Sequence, residues 1–113
     1  MTDLDTSGAG VESQPDWQNL IYEVFNPDYS VGVACDRGGS IVGLHIGDVW
    51  EHTDSWLAAE ILRVARLARM KSQVGRRTEL MYNGASPRVA DSLGLPTEAE
   101  YNLMAKAEFG EGV

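Results

Sequence analysis

Apolar side chains occupy every second position in two short stretches before residue 47, which is typical of strands with one buried face. The first stretch presents Val31, Val33 and Cys35 on one face, and the second presents Val42, Leu44 and Ile46. Glycines at positions 38 and 39 supply the turn of a tight hairpin between them. An aromatic and β-branched segment at residues 20–25 predicts a further strand. We therefore expect three antiparallel strands, with both alternating apolar sets buried.

A long helix is predicted after the polar connector that follows the third strand. Thr53 is a favourable N-cap, and Gly75 is a natural position for the helix to end. At 100° per residue, one arc of this helix collects the apolar residues that we expect to pack on the sheet. These residues are Leu57, Ile61, Val64, Ala65 and Ala68.

The C-terminal part predicts two more helices. Ser86 and Pro87 open a short one that stops at Gly94, because proline is favoured at the first helical position. Thr97 and Glu100 form a capping box that begins a helix ending near residue 110. Residues 76–85 show no clear period and carry no prediction. The expected fold class is α+β: a three-stranded antiparallel sheet packed by a long helix, with a C-terminal helical segment.

A second apolar set lies on the opposite side of the long helix and carries two interpretations. It consists of Trp56, Leu67 and Met70, with Arg63 beside them. In one interpretation the C-terminal segment covers this set. In the other, the four residues form a surface for protein partners or for a second copy of the chain. We call them the predicted partner surface.

The bulk composition indicates one small domain. The chain has 113 residues, a net charge of −8 and a single cysteine. Residues 1–14 are acidic and poor in large apolar side chains, which predicts a disordered tail, and residues 15–113 form the domain. One cysteine excludes an internal disulfide and favours a reducing compartment. The cytoplasm is therefore the expected location. No apolar run approaches the ~20 residues of a membrane span, so we expect no membrane insertion.

Six of the nine basic residues lie close together in this acidic chain, which keeps nucleic-acid binding open as an alternative. They are Arg63, Arg66, Arg69, Lys71, Arg76 and Arg77. Phosphate binding needs clustered cations of this kind. The sequence lacks the interleaved aromatic residues typical of single-strand binding, and it has no helix-turn-helix pattern.

No residue pattern predicts catalysis. His45 and His52 are seven residues apart and have no further ligands at metal-binding spacing. Cys35 alternates with valines and is expected to be a buried apolar residue rather than a nucleophile. The glycine turn is followed by a strand, so it is not a phosphate-binding loop. We expect neither an enzyme nor a bound cofactor or metal.

Parts of the chain resemble the YbaB/EbfC-like family. The similar segments are the hairpin from Ser30 through Asp36-Arg-Gly-Gly-Ser-Ile-Val-Gly-Leu-His-Ile46 and the helix beginning Ser55-Trp-Leu-Ala-Ala-Glu-Ile-Leu-Arg. Within that group three segments are most similar to EspH and related type VII secretion-associated proteins of actinobacteria. They are Phe25-Asn-Pro-Asp-Tyr-Ser-Val, Leu67-Ala-Arg-Met-Lys-Ser and Leu95-Pro-Thr-Glu-Ala-Glu. The resemblance covers roughly residues 20–109.

This resemblance implies a compact, often dimeric α+β domain. The EspH-like branch implies a cytosolic chaperone or adaptor that contacts secretion substrates or secretion components. The wider YbaB group implies the alternative, a dimeric nucleoid-associated protein that binds DNA. The chain lacks the long first helix of YbaB proteins and carries an added C-terminal segment, and both departures weigh against DNA binding.

Overall fold

A computed structural model describes residues 15–48 and 50–110, so the predicted tail at residues 1–14 lies outside the described residues. A 3-10 turn at Trp17–Asn19 precedes the sheet. The strands are β1 (Tyr22–Phe25), β2 (Val31–Cys35) and β3 (Ile41–Ile46). The helices are α1 (Asp54–Tyr82), α2 (Pro87–Ser92) and α3 (Glu98–Phe109). This architecture confirms the predicted α+β class.

The three strands form one antiparallel sheet in the order β1-β2-β3. Val33 lies at the centre of the register, opposite Val24 on one side and Leu44 on the other. Every residue of the central strand β2 is buried. On the face away from α1, the ring of Phe25 covers Gly32 so closely that a Cβ at position 32 would collide with it. Because Gly32 has no side chain, the Phe25 ring can pack directly against the sheet at this position.

Helix α1 packs across β1 and β2, and its predicted apolar stripe faces them. Val64 and Ala68 are fully buried, and the other three stripe residues pack against the same core. The N-cap is confirmed, since the Thr53 hydroxyl accepts a hydrogen bond from the backbone N–H of Trp56 at 3.1 Å. The prediction of the sheet-facing side of the helix is therefore correct.

The predicted burial of the apolar face of β3 is wrong. Val42, Leu44 and Ile46 are 55%, 55% and 42% exposed. The cause is the position of α1, which lies over β1 and β2 and leaves β3 as an uncovered edge strand. The alternating pattern identified the strand correctly. The burial that it predicted would require a helix over β3, and α1 does not cover this strand.

The prediction that the long helix ends at Gly75 is also wrong, because α1 continues to Tyr82. Gly75 lies in the helix interior, directly against the ring of Tyr22 on β1. The missing side chain lets this ring approach the helix backbone. Residues 76–82, for which the sequence carried no prediction, form the last two turns of α1.

The C-terminal helices are confirmed. Pro87 opens α2, and Thr97 and Glu100 form both hydrogen bonds of the capping box that begins α3. Arg77 of α1 holds this segment in place by donating to Asp91 and to the carbonyl oxygen of Leu95, both at 2.8 Å. No helix in the described ranges is long and apolar enough to cross a membrane.

Candidate protein-binding surfaces

The predicted partner surface is divided by the fold. Leu67 is only 1% exposed and belongs to the core, so the prediction that it meets a partner is wrong. The indole of Trp56 is stacked on His52, with ring centroids 3.8 Å apart. Met70 is half-buried on the side of α1 that faces the C-terminal segment. For Leu67, the interpretation in which the C-terminal segment lies over this side of the helix is correct, because α3 packs on α1.

A groove opens where α1 and α3 diverge, and we call it the α1–α3 groove. Two adjoining cavities of about 660 Å³ and 610 Å³ form it. They share Met70 on α1, Met104 on α3, and Gly94 and Pro96 in the connection between α2 and α3. Leu103, which is 69% exposed, belongs to its α3 wall. The groove therefore has a methionine-containing apolar interior open to solvent, and the carboxylates of Asp91, Glu100 and Glu108 also belong to its lining.

The α1 wall of the groove is basic. Arg66 and Arg69 line it and are exposed, and neither guanidinium pairs with a carboxylate of the described residues. Arg69 also reaches toward the β2–β3 turn, where its Cγ lies 3.7 Å from the position a Cβ of Gly39 would occupy. In a chain of net charge −8, this wall is a local positive feature.

Arg63 closes one end of the groove as part of a structural network. Its guanidinium lies 3.0 Å from Glu60 and 3.7 Å from Glu108, and 5.0 Å from the centre of the Phe109 ring. Glu60 is buried and accepts a hydrogen bond from the side chain of Asn26 at 2.9 Å. Arg63 thus joins α1 to the end of α3, and this use limits its availability to a partner.

The residues of the nucleic-acid alternative are largely engaged within the chain. Arg63 and Arg77 have the contacts described above, and Arg76 lies 3.7 Å from Glu79. Lys71 donates to the carbonyl oxygen of Glu23 at 3.0 Å. Arg66 and Arg69 are the remaining members of the run. The structure therefore does not present the six cations together as one stripe for phosphates.

A second surface, which the sequence did not predict, lies on β3. It contains Ile41, Val42, Leu44 and Ile46, which are 42–59% exposed, and we call it the β3 surface. Leu62 of α1, 59% exposed, lies seven residues before Arg69 and hence on the same side of the helix. Because Arg69 reaches the β2–β3 turn, Leu62 lies on the side of α1 nearest β3.

The cysteine and histidine side chains that could take part in catalysis or metal binding do not form a cluster. Cys35 is fully buried, and desolvation raises the pKa of its thiol. The His45 ring contacts Phe25 edge-on at 5.7 Å, whereas His52 stacks on Trp56. Within residues 15–48 and 50–110, no three His, Cys, Asp or Glu side chains lie close enough together to hold a metal ion.

Comparisons with protein-family models, with curated proteins and with solved structures found no match to this chain. The YbaB/EbfC-like and EspH-like resemblance therefore stays a prediction from the segments quoted above.

Proposed function

We propose that this chain is a non-enzymatic cytosolic accessory protein that binds a protein partner in the α1–α3 groove. In this proposal it acts as a chaperone or adaptor in a type VII secretion pathway. The resemblance to EspH-like proteins is the basis for the pathway. The observation that carries the binding proposal is the apolar groove between Met70 and Met104, with Arg66 on its wall.

The groove favours a helical partner segment. Helix-in-groove recognition places an apolar face at i, i+3, i+4 and i+7 into a cleft between helices. Methionine side chains adapt to differently shaped apolar residues, which suits a surface that accepts related clients. Met70 on α1 and Met104 on α3 both line this groove, and Leu103 adds a further apolar side chain to its lining.

Charge defines the chemistry of the partner more narrowly. Arg66 has no carboxylate partner in the described residues, and Arg69 lies on the same wall. Carboxylates that flank the apolar face of a partner helix would pair with these guanidinium groups and fix its orientation. We therefore propose an acidic amphipathic helix of a secretion substrate or secretion component as the bound segment.

Photo-cross-linking in cells tests this proposal. The photoreactive residue p-benzoylphenylalanine replaces Leu103 in the groove wall, and in a control it replaces Gln18 on the distant 3-10 turn. We expect the groove position to capture a protein whose cross-linked peptide has acidic and apolar residues at helical spacing. Arg66→Glu should abolish this cross-link, whereas Arg88→Glu, the same charge change on α2, should preserve it.

Three results would reject the proposal. One is a cross-link yield at position 103 no higher than at position 18. Another is a captured peptide without acidic residues, and the third is equal capture by the Arg66→Glu variant. Nuclease treatment before capture separates a direct protein contact from one that a nucleic acid mediates.

A further inference from the structure

A pocket lies where the β2–β3 turn meets α1, and we call it the turn pocket. Its volume is about 320 Å³. Gly38 and Gly39 of the turn line one side, and residues of α1 line the other. Three of its lining residues are arginines, and no described residue of the lining is acidic: the arginines are Arg37, Arg69 and Arg76. The turn pocket is therefore a concentration of positive charge in a chain of net charge −8.

The three guanidinium groups share one carboxylate. Glu79 accepts two hydrogen bonds from Arg37, at 2.8 Å and 2.6 Å, and lies 3.7 Å from Arg76. No carboxylate of the described residues forms an ion pair with Arg69. The carboxylate of Asp36 is used within the turn, where it accepts from two backbone N–H groups at 3.0 Å and 2.9 Å. One negative charge thus neutralises one of the three cations, and the pocket keeps an excess of two positive charges.

Two of these cations are already oriented by the fold. The pair with Glu79 uses two of the five N–H groups of the Arg37 guanidinium, so three N–H groups remain to donate. Arg69 lies against the other side of the turn, with its Nε 3.9 Å from the position that a Cβ of Gly39 would occupy. Planar guanidinium groups held in this way bind oxyanions through paired, charge-assisted hydrogen bonds.

Charge and size select the class of anion. A carboxylate or a phosphate diester carries one negative charge, whereas a phosphate monoester carries about −1.5 to −2 at pH 7. The monoester therefore matches an excess of two positive charges. Small-molecule sites have volumes of roughly 300–1,000 Å³. At about 320 Å³ the turn pocket suits one phosphoryl group and a small part of the molecule that carries it.

We propose that the turn pocket binds the phosphoryl group of a phosphate monoester. Arg37, Arg69 and Arg76 donate to its oxygen atoms, and the side-chain amide of Gln73 supplies a further donor. A small metabolite and a phosphorylated serine or threonine of a protein both present this dianion. The inference goes beyond the proposed function and does not depend on it, although Arg69 and Gln73 also line the α1–α3 groove.

An NMR titration that follows the backbone amides of Gly38 and Gly39 tests the proposal, with methyl phosphate as the probe. We expect saturable shifts that dimethyl phosphate, the matched diester, does not produce at the same concentrations. Arg69→Gln should weaken binding by about tenfold or more, because it removes charge-assisted hydrogen bonds. This residue has no ion pair to lose, so its circular dichroism should be unchanged. Arg66→Gln, the same change on α1 outside the turn pocket, should bind methyl phosphate as the wild type does.

Two further probes identify the source of the phosphoryl group. One is glucose 6-phosphate, and the other is a pentapeptide with a central phosphoserine flanked by glycines. Tighter binding of the sugar phosphate assigns the group to a metabolite, and tighter binding of the peptide assigns it to a protein. Rejection of both by a protein that binds methyl phosphate would overturn the proposal, since the pocket would then exclude the rest of either molecule.

Three results of the first titration would also overturn the proposal. The first is the absence of saturable shifts with methyl phosphate. The second is equal affinity for dimethyl phosphate, which would indicate a surface for the diesters of a nucleic acid. The third is unchanged affinity in Arg69→Gln. The proposed function can fail separately, because Arg66→Glu changes the lining of the groove alone and Arg76→Gln changes that of the turn pocket alone.

Discussion

The ring of Tyr22 on β1 lies directly against the backbone of Gly75 in the interior of α1. This approach is closer than any residue with a Cβ would allow. It fixes the distance between the helix and the first strand, and it explains why a glycine occurs in the middle of a 29-residue helix. Helix α1 packs on β1 and β2 and leaves β3 uncovered.

Gly75→Ala should destabilise the protein although alanine is the better helix former. The propensity gain is about 1 kcal/mol, whereas overpacking against Tyr22 costs about 1–3 kcal/mol. We expect a net loss of about 1 kcal/mol in the free energy of unfolding, measured by urea denaturation. In a Tyr22→Ala background the ring is absent, and the same substitution should stabilise. Equal effects in both backgrounds would contradict the contact.

The ion pair between Arg37 and Glu79 should make stability depend on pH. Arg37 in the β2–β3 turn donates two hydrogen bonds to the Glu79 carboxylate, at 2.8 Å and 2.6 Å. These bonds hold the pKa of Glu79 below its usual 4.5. The stabilisation is therefore complete above pH 4.5 and is lost as the pH falls through the lowered pKa.

Arg37→Gln should consequently be less stable than the wild type at neutral pH, and the difference should shrink below pH 4.5. Urea denaturation at pH 7 and at pH 3 measures both differences. Arg76→Gln is the matched control, because Arg76 lies 3.7 Å from Glu79 and should give a smaller difference. A stability difference for Arg37→Gln that is the same at both pH values would refute this account.

Asn26 should tolerate no negative charge. Its buried side chain accepts from the backbone N–H of Val31 and donates to Ser30 and Glu60. Aspartate keeps the acceptor but removes both donors and places a carboxylate beside that of Glu60. We expect Asn26→Asp to lower the free energy of unfolding by about 2 kcal/mol or more. Asn102→Asp, on the exposed side of α3, should change it by about 0.5 kcal/mol or less.

The Cys35 thiol should react only when the protein opens. It is fully buried, and burial raises its pKa, so little thiolate meets a reagent in the folded state. Labelling with a disulfide reagent should be slow in buffer and fast in urea. The Leu103→Cys variant should show one additional fast thiol. Rapid labelling of the wild type in buffer would place Cys35 outside the core.

The individual strands and helices could be predicted from the sequence, but which strands the long helix covers could not. Alternation located β2 and β3 equally well, yet Val33 is buried and Leu44 is 55% exposed. Strand patterns carry no information on which strands a helix covers. Glycine is a common helix stop, so the local sequence predicted that the helix ends at Gly75. The contact of Gly75 with Tyr22 joins residues far apart in the chain, and a local pattern does not reveal it.

The groove was only partly predictable for the same reason. Met70 was expected on a partner surface, whereas Pro96, Leu103 and Met104 were missed. The sequence signal that could have identified the α3 wall of the groove is the presence of apolar residues on two sides of α3. Tyr101 and Ala105 pack toward the core, while Leu103 and Met104 line the groove.

Native mass spectrometry of the tagged protein from its own cytosol, after nuclease treatment, tests the central claim most directly. We expect a complex with a second, different protein in the wild type and in Arg88→Glu, and its loss in Arg66→Glu. A wild-type protein recovered only with its own copies would contradict the claim. Identical complexes in the wild type and Arg66→Glu would contradict the assignment of the groove as the binding site.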